Sequence, residues 1–292
     1  MKILITDPLE QEVVEALKSL GEVIYQPSDH TDALREANVL IVRSATHVTR
    51  DMIERAPQLK IVARAGVGLD NIDVTTCIKK NIKVLNTPGA SANAVAELTI
   101  ASMFNLLRHI PKAHLLMKNK KWAKKELKGE ELDGKTVGII GFGRIGSLVA
   151  EKAHALGCHV LAYDPRPRET GIARFVSLGE LLAKSDIVTL HTALTPETQN
   201  MVNEETIEKM KDGAYLINIA RGELIDEDAL YDACKNGKLA GAALDVYPRE
   251  PYTGKLLDLD NIYFTPHLGA STRESQLRVG EELIEKLKKE LG

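Results

Sequence analysis

The chain predicts an α/β protein built on two parallel sheets, and three observations lead there. Short apolar runs alternate with segments of helical period in two blocks, residues 2–86 and 135–266, which is the rhythm of βαβ units and therefore of parallel strands. A long helical segment at 92–117 parts the two blocks. Aromatic residues make up only 4% of the 292 residues while Ala, Val, Ile and Leu abound, a composition suited to strands covered on both faces. A chain of this length holds two domains, each large enough to bury its own core.

In the first block KILIT (2–6), NVLIVR (38–43), KIVARA (60–65) and IKVLN (82–86) read as strands, and GEVIY (21–25) is a weaker candidate. Helical period appears between them, at 10–20 and 51–56. The segment ANAVAELTIASMFNLLRHIPKAHLLM reads as one helix kinked or broken near Pro111, because the proline ring removes a donor and crowds the preceding turn. KNKKWAKKELKGEELDG, which follows, reads as a charged surface connection with solvated lysines.

The second block is more regular. TVGIIG (136–141), CHVLAYD (158–164), DIVTLH (186–191), AYLINIA (214–220), AGAALD (240–245) and NIYFTP (261–266) give six strands. Ser177-x-x-Glu180 reads as a capping box, Asp226 precedes a helix that stops at Asn236-Gly237, and Ser271-x-x-Glu274 starts a last helix. If that helix returns to the first block, one domain comprises 1–91 with 272–292 and the other 92–271, the second inserted into the first.

Composition narrows the function classes. A net charge of −3 offers no electrostatic reason for a nucleic-acid or membrane partner. No apolar run reaches the roughly 18 residues of a membrane span, and the N-terminal MKILITDPLE turns polar too soon for a secretory signal. Cys77, Cys158 and Cys234 are odd in number and widely spaced, matching neither a disulfide framework nor a metal site. A reducing, cytoplasmic setting is the expectation.

Gly141-Phe142-Gly143-Arg144-Ile145-Gly146 follows an apolar strand and opens a helix, and Asp164 closes the next strand. The order is that of a dinucleotide fingerprint. Gly141 permits a tight turn, Gly143 lets a pyrophosphate approach the backbone, and Gly146 lets helix and strand pack closely. The N–H groups of the helix start face the phosphates, and Asp164 suits the ribose hydroxyls and opposes a 2′-phosphate, favouring NAD. Arg166 and Arg168, just beyond, leave some tolerance for NADP open.

Ligands of open parallel sheets gather past the carboxyl ends of the strands. Those positions in the second block hold Arg221, Asp245, Glu250 and His267, with His191 at another strand end. Hydride exchange at an alcohol carbon needs a proton carrier, and imidazole titrates in the right range, so His267 is the candidate. Glu250 would orient and stabilise its imidazolium, and the Arg221 fork would grip a substrate carboxylate and polarise the neighbouring carbonyl. His191 lines the cofactor cleft; the remaining histidines read as loop or core residues. In the first block Arg43 and Arg64 each end a strand, and Gly66 and Gly68 expose backbone donors.

With GFGRIG…YDP, INIARGELIDEDAL, GAALDVYPREP and TPHLGAST in place, the chain resembles the D-isomer-specific 2-hydroxyacid dehydrogenase family over essentially its whole length. The resemblance implies a Rossmann-type doubly wound parallel sheet inserted into a smaller flavodoxin-like α/β domain. It implies NAD as cofactor and Arg221, Glu250 and His267 as the catalytic set. It also implies a cofactor cleft lined by Thr192, Ile219, Ala220, Gly269 and Ala270, with Asp245 near the nicotinamide carboxamide. VRSAT, ARAGVGLDNID and LNTPGASANAVAELT are most similar to the phosphoglycerate-oxidising branch. That branch places Arg43, Ser44, Arg64, Val67, Gly68 and Asn93 at the substrate, Arg43 and Arg64 toward a phosphate. The implied reaction is oxidation of D-3-phosphoglycerate, the first step of serine biosynthesis. The alternatives are glyoxylate/hydroxypyruvate reduction, another D-2-hydroxy acid, or a nucleotide-sensing module on the same fold. The resemblance also implies a homodimer formed through the 93–117 helical region, and a short form without a C-terminal regulatory domain.

Overall fold

Valine, isoleucine and leucine runs flanked by helices of one-sided apolarity form the strands of the computed structural model, which describes residues 1–291. In chain order the elements are β1 (Lys2–Ile5), α1 (Gln11–Leu17), β2 (Glu22–Tyr25), α2 (Thr31–Glu36), β3 (Val39–Val42), α3 (Arg50–Glu54), β4 (Ile61–Arg64), α4 (Val74–Lys79) and β5 (Lys83–Asn86). There follow α5 (Ala92–Arg108), α6 (Ile110–Lys118), β6 (Thr136–Ile140), α7 (Arg144–Ala155), β7 (His159–Tyr163), β8 (Arg174–Phe175), α8 (Leu178–Lys184), β9 (Ile187–Leu190) and α9 (Glu204–Glu208). The chain closes with β10 (Ala214–Asn218), α10 (Glu227–Asn236), β11 (Leu239–Leu244), β12 (Ile262–Phe264) and α11 (Arg273–Leu291). Two compact units result: Met1–Ala92 with the segment from Ala270 onward, and Asn93–Gly269.

The first unit is a five-stranded sheet in the order β2-β1-β3-β4-β5, all parallel. This is the flavodoxin-like order, whose direction reverses between β1 and β3. One face buries Ile3, Ile5, Ile41, Val13 and Leu17 with Val279, Leu283 and Leu287 of α11. The other buries Leu4, Leu40, Val62, Ile53 and Cys77 beneath α2, α3 and α4. Gly280 of α11 is a contact point with α1: a Cβ there would stand 2.1 Å from Val13 Cγ2.

The second unit is a seven-stranded parallel sheet, β12-β11-β10-β9-β6-β7-β8. Counted from β6, the order is that of a Rossmann sheet with one further strand, and it reverses between β6 and β9. The two parallel sheets are those the sequence predicts, but some elements differ. β8 has two residues, too short to leave a periodic signal. The 92–117 helix breaks at His109, which takes φ 52, and Pro111 sits in the first turn of α6. The break precedes the proline because the ring fits a helix start but not an interior. Ser177 Oγ accepts from Glu180 N, but Glu180 turns its carboxylate to Arg174 and Lys184, so only half of the capping box forms. The last helix is capped by Thr272, whose Oγ1 accepts from Ser275 N at 3.1 Å, one residue later than the Ser271 motif suggests.

No helix among the described residues is long and apolar enough to cross a membrane. All three thiols are buried. Burial raises Cys77 and pushes Cys158 up to about 11 and Cys234 to about 12, so thiolate is scarce at neutral pH. We expect less than about a tenth of each thiol to react with iodoacetamide in an hour at pH 8, and full reaction in denaturant, counted by mass spectrometry.

Candidate active site

At the reversal of the seven-stranded sheet, the turn after β6 must pass close to the residues after β9. Gly141 makes that passage at φ 92: a Cβ would lie 2.6 Å from the His191 carbonyl carbon. Gly146, on the first turn of α7, would carry a Cβ 2.1 Å from Gly141 O, so α7 rests directly on the turn. At Gly143 a Cβ meets nothing within 4 Å, which leaves the backbone open beside the free N–H groups of Arg144 and Ile145 at the helix start. This cradle fits a pyrophosphate.

Asp164, beyond β7, accepts from Phe142 N at 2.9 Å and from Arg166 N at 2.9 Å. The carboxylate thus ties the glycine-rich turn to the loop after β7 and keeps lone pairs for ribose hydroxyls. Arg168 Nη2 donates to Phe142 O at 2.8 Å and its guanidinium covers the Phe142 ring. After β9, His191 Nε2 lies 3.0 Å from Thr189 Oγ1. Burial pushes its pKa down to about 3, so it is a neutral wall beside Thr192 and takes no proton at neutral pH.

The next three strand ends hold the side chains with acid–base and anion-binding capacity. After β10, Asn218 is fully buried. It accepts from Ala220 N at 3.0 Å and donates to Arg221 O at 2.7 Å, which shapes the loop of Ile219, Ala220 and Arg221. Arg221 Nη1 donates to Ala220 O at 2.6 Å. After β11 comes Asp245, 1% exposed. Leu268 N donates to its Oδ1 at 2.7 Å and Gly269 N to its Oδ2 at 2.8 Å, with Thr265 Oγ1 as a third donor. Burial nonetheless raises its pKa. Asp245 thereby fastens the loop after β12 to the end of β11.

That loop presents His267 at φ 55. Its Nδ1 lies 2.9 Å from Glu250 Oε2 and 3.1 Å from Oε1, and Tyr247 N donates to Glu250 Oε1 at 3.3 Å. A carboxylate only accepts, so Nδ1 carries the hydrogen and Nε2 is left for a ligand. The two side chains are 40% and 37% exposed, reachable from outside. Tyr247 Oη lies 3.1 Å from Leu244 O and 2.9 Å from Thr265 O, and so braces the two loops that hold the pair. Asn218, Tyr247 and Thr265 escape a reading of strand ends: Asn218 acts by shaping its own loop, and Tyr247 and Thr265 act by hydrogen bonds between loops distant in sequence.

In the first unit, the strand ends beside the reversal are also organised. Asp7, buried after β1, accepts from Arg43 N at 2.6 Å, Thr46 N at 3.1 Å and Thr46 Oγ1 at 2.6 Å. Asn71 donates to Arg43 O and Thr46 O. Arg43 and the exposed Ser44 are thus displayed on a fixed loop, and Arg43 lines a small cavity with Glu10, Gly66, Ala270 and Gln276. Arg64 ends β4, and Val67 and Gly68 lie in the turn after it. Asn93 lies on the first turn of α5, in the second unit, and its amide donates to Glu97 at 2.7 Å. Ala270 opens the returning segment of the first unit.

Residues 100–269 match the model of the D-isomer specific 2-hydroxyacid dehydrogenase, NAD binding domain. A hydroxypyruvate reductase of Thermotoga maritima is 50% identical, over all of this chain and 98% of its own length. A D-3-phosphoglycerate dehydrogenase of Methanocaldococcus jannaschii is 46% identical over all of this chain, which spans 57% of that relative. Among solved structures, D-lactate dehydrogenase from Aquifex aeolicus, complexed with NAD and lactic acid, superposes with a TM-score of 0.88 at 36% identity. That match covers 99% of this chain and 94% of the other.

Proposed function

Because the chain belongs to the D-isomer specific 2-hydroxyacid dehydrogenase family and is an NAD-dependent enzyme of that kind, we propose that it interconverts D-3-phosphoglycerate and 3-phosphohydroxypyruvate. The observation that carries the chemistry is the His267–Glu250 pair at 2.9 Å, on the sheet edge that also holds the glycine cradle. When bound, NAD supplies the hydride acceptor at its nicotinamide. His267 Nε2 takes the proton of the C2 hydroxyl, or returns it in the reductive direction. Glu250 stabilises the imidazolium so formed, and Arg221 polarises the C2 oxygen while binding the carboxylate. In the first unit, the backbone N–H groups of Val67 and Gly68 are the proposed receptors of the carboxylate, and Arg43 of the phosphate.

The second reading is reduction of the unphosphorylated acid, hydroxypyruvate, favoured by the full-length relative of that name at 50% identity. Both place the protein in metabolism of small acids in the cytoplasm, and a homodimer through α5 and α6 accompanies either. The discriminating measurement is kcat/KM with NADH for phosphohydroxypyruvate against hydroxypyruvate. We expect the phosphorylated acid to be preferred. Arg43→Ala should lower that preference by about 10- to 100-fold, the worth of one charged hydrogen bond. A wild type that prefers hydroxypyruvate, with an Arg43→Ala ratio unchanged, selects the second reading.

A further inference from the structure

Three consecutive peptide carbonyls in the turn after β4 are each held by the scaffold of the first unit. Gly66 O accepts from Thr87 N at 2.8 Å and Thr87 Oγ1 at 3.3 Å. Val67 O accepts from Asn86 Nδ2 at 2.6 Å, and Gly68 O accepts from Arg64 Nη1. In a planar trans peptide the carbonyl and the following N–H point in opposite directions. Tethering these carbonyls toward the scaffold therefore aims the N–H groups of Val67, Gly68 and Leu69 away from it. None of the three donates a backbone hydrogen bond among the described residues, and Val67 is 36% exposed. Successive N–H groups pointing one way are a receptor for an anion.

The tethers are themselves fixed. Thr87 is fully buried. Asn86 ends β5, and its carbonyl accepts from Lys286 Nζ of α11 at 2.6 Å. Arg64 spans two loops: Nε donates to Arg43 O at 3.3 Å while Nη1 reaches Gly68 O. One guanidinium thus joins the turn after β3 to the turn after β4. A lysine ammonium lacks the rigid fork to do so.

We propose that Arg64, Asn86 and Thr87 are positioning residues that preform the carboxylate receptor of this enzyme, and that Arg64 acts through the Gly66–Gly68 turn and is no ligand of a substrate phosphate. The proposal rests on the reading of the chain as a 2-keto-acid enzyme and changes the role that resemblance gives Arg64. A phosphate ligand matters only to a phosphorylated substrate. A brace of the carboxylate receptor matters alike to every 2-keto acid, because all carry that carboxylate.

The test is steady-state kinetics with NADH on hydroxypyruvate and phosphohydroxypyruvate. Arg64→Lys and Asn86→Ala should each raise KM about tenfold for both acids, with their kcat/KM ratio unchanged and KM for NADH unmoved. Thr87→Ser, which keeps both donors, should stay near wild type. Arg43→Ala is the contrast, since it should shift the ratio. A rise confined to phosphohydroxypyruvate in Arg64→Lys, or no rise for either acid, overturns the proposal. Should Arg64→Lys not fold, Asn86→Ala decides by the same criterion. A wild type that reduces neither acid overturns the proposed activity and this inference with it, and is seen before any variant is made.

Discussion

His267→Ala should lower kcat by about 10³-fold in either direction, the usual worth of a positioned acid–base group. Affinity for NADH, followed by protein fluorescence, should remain within about twofold, because the glycine cradle and Asp164 lie at other strand ends and make no bond with His267. Glu250→Gln keeps the shape of the partner but loses its counter-charge, so its kcat should fall between wild type and His267→Ala. The assignment of the proton carrier fails if His267→Ala retains a tenth of wild-type kcat. It fails equally if the loss lies wholly in NADH binding. Asp245 is excluded as the carrier by its setting: three donors already converge on a carboxylate 1% exposed.

Gly146→Ala should weaken NADH binding by about 100-fold or more and cost about 2–3 kcal/mol of stability, as overpacking against rigid atoms does. The added methyl would stand 2.1 Å from Gly141 O and 3.2 Å from Ile139 Cγ2. The first of these is backbone, so α7 must lift off the turn. Gly143→Ala separates the two effects. Its methyl meets nothing within 4 Å, so stability in urea should match wild type while NADH binding falls, the methyl standing where a pyrophosphate approaches the backbone. Equal destabilisation of the two variants, or unaltered NADH binding in Gly143→Ala, would refute the cradle.

The parallel sheets were legible because each strand is a short run of β-branched and leucine residues flanked by turn residues, a pattern that survives without tertiary context. Even the weak GEVIY run is a strand, at the sheet edge. What escaped was short or cooperative. β8 and the five-residue α9 are held by neighbours and not by their own periodicity. Thr272 and not Ser271 caps the last helix, a shift of one residue between two neighbouring hydroxyls that both suit an N-cap. In the candidate site, the residue types with obvious chemistry stand out at strand ends: Arg221, Asp245, Glu250 and His267. The residues that aim them do not. Asp245 joins β11 to Leu268 N, 23 positions away, and the bonds of Arg64 to Arg43 O and Gly68 O leave no mark on the sequence.

The discontinuous first unit bears on how the protein comes off the ribosome. Val13, Val14 and Leu17 share their core with Val279, Leu283 and Leu287, residues that follow the whole inserted unit in the chain. Until α11 emerges, the early-made sheet has a bare greasy flank, while the inserted Asn93–Gly269 unit has all its strands and can condense first. The nascent chain should therefore carry its greatest need for chaperone shielding at the N-terminal part, and shed it only once the α11 segment has emerged to cover that flank.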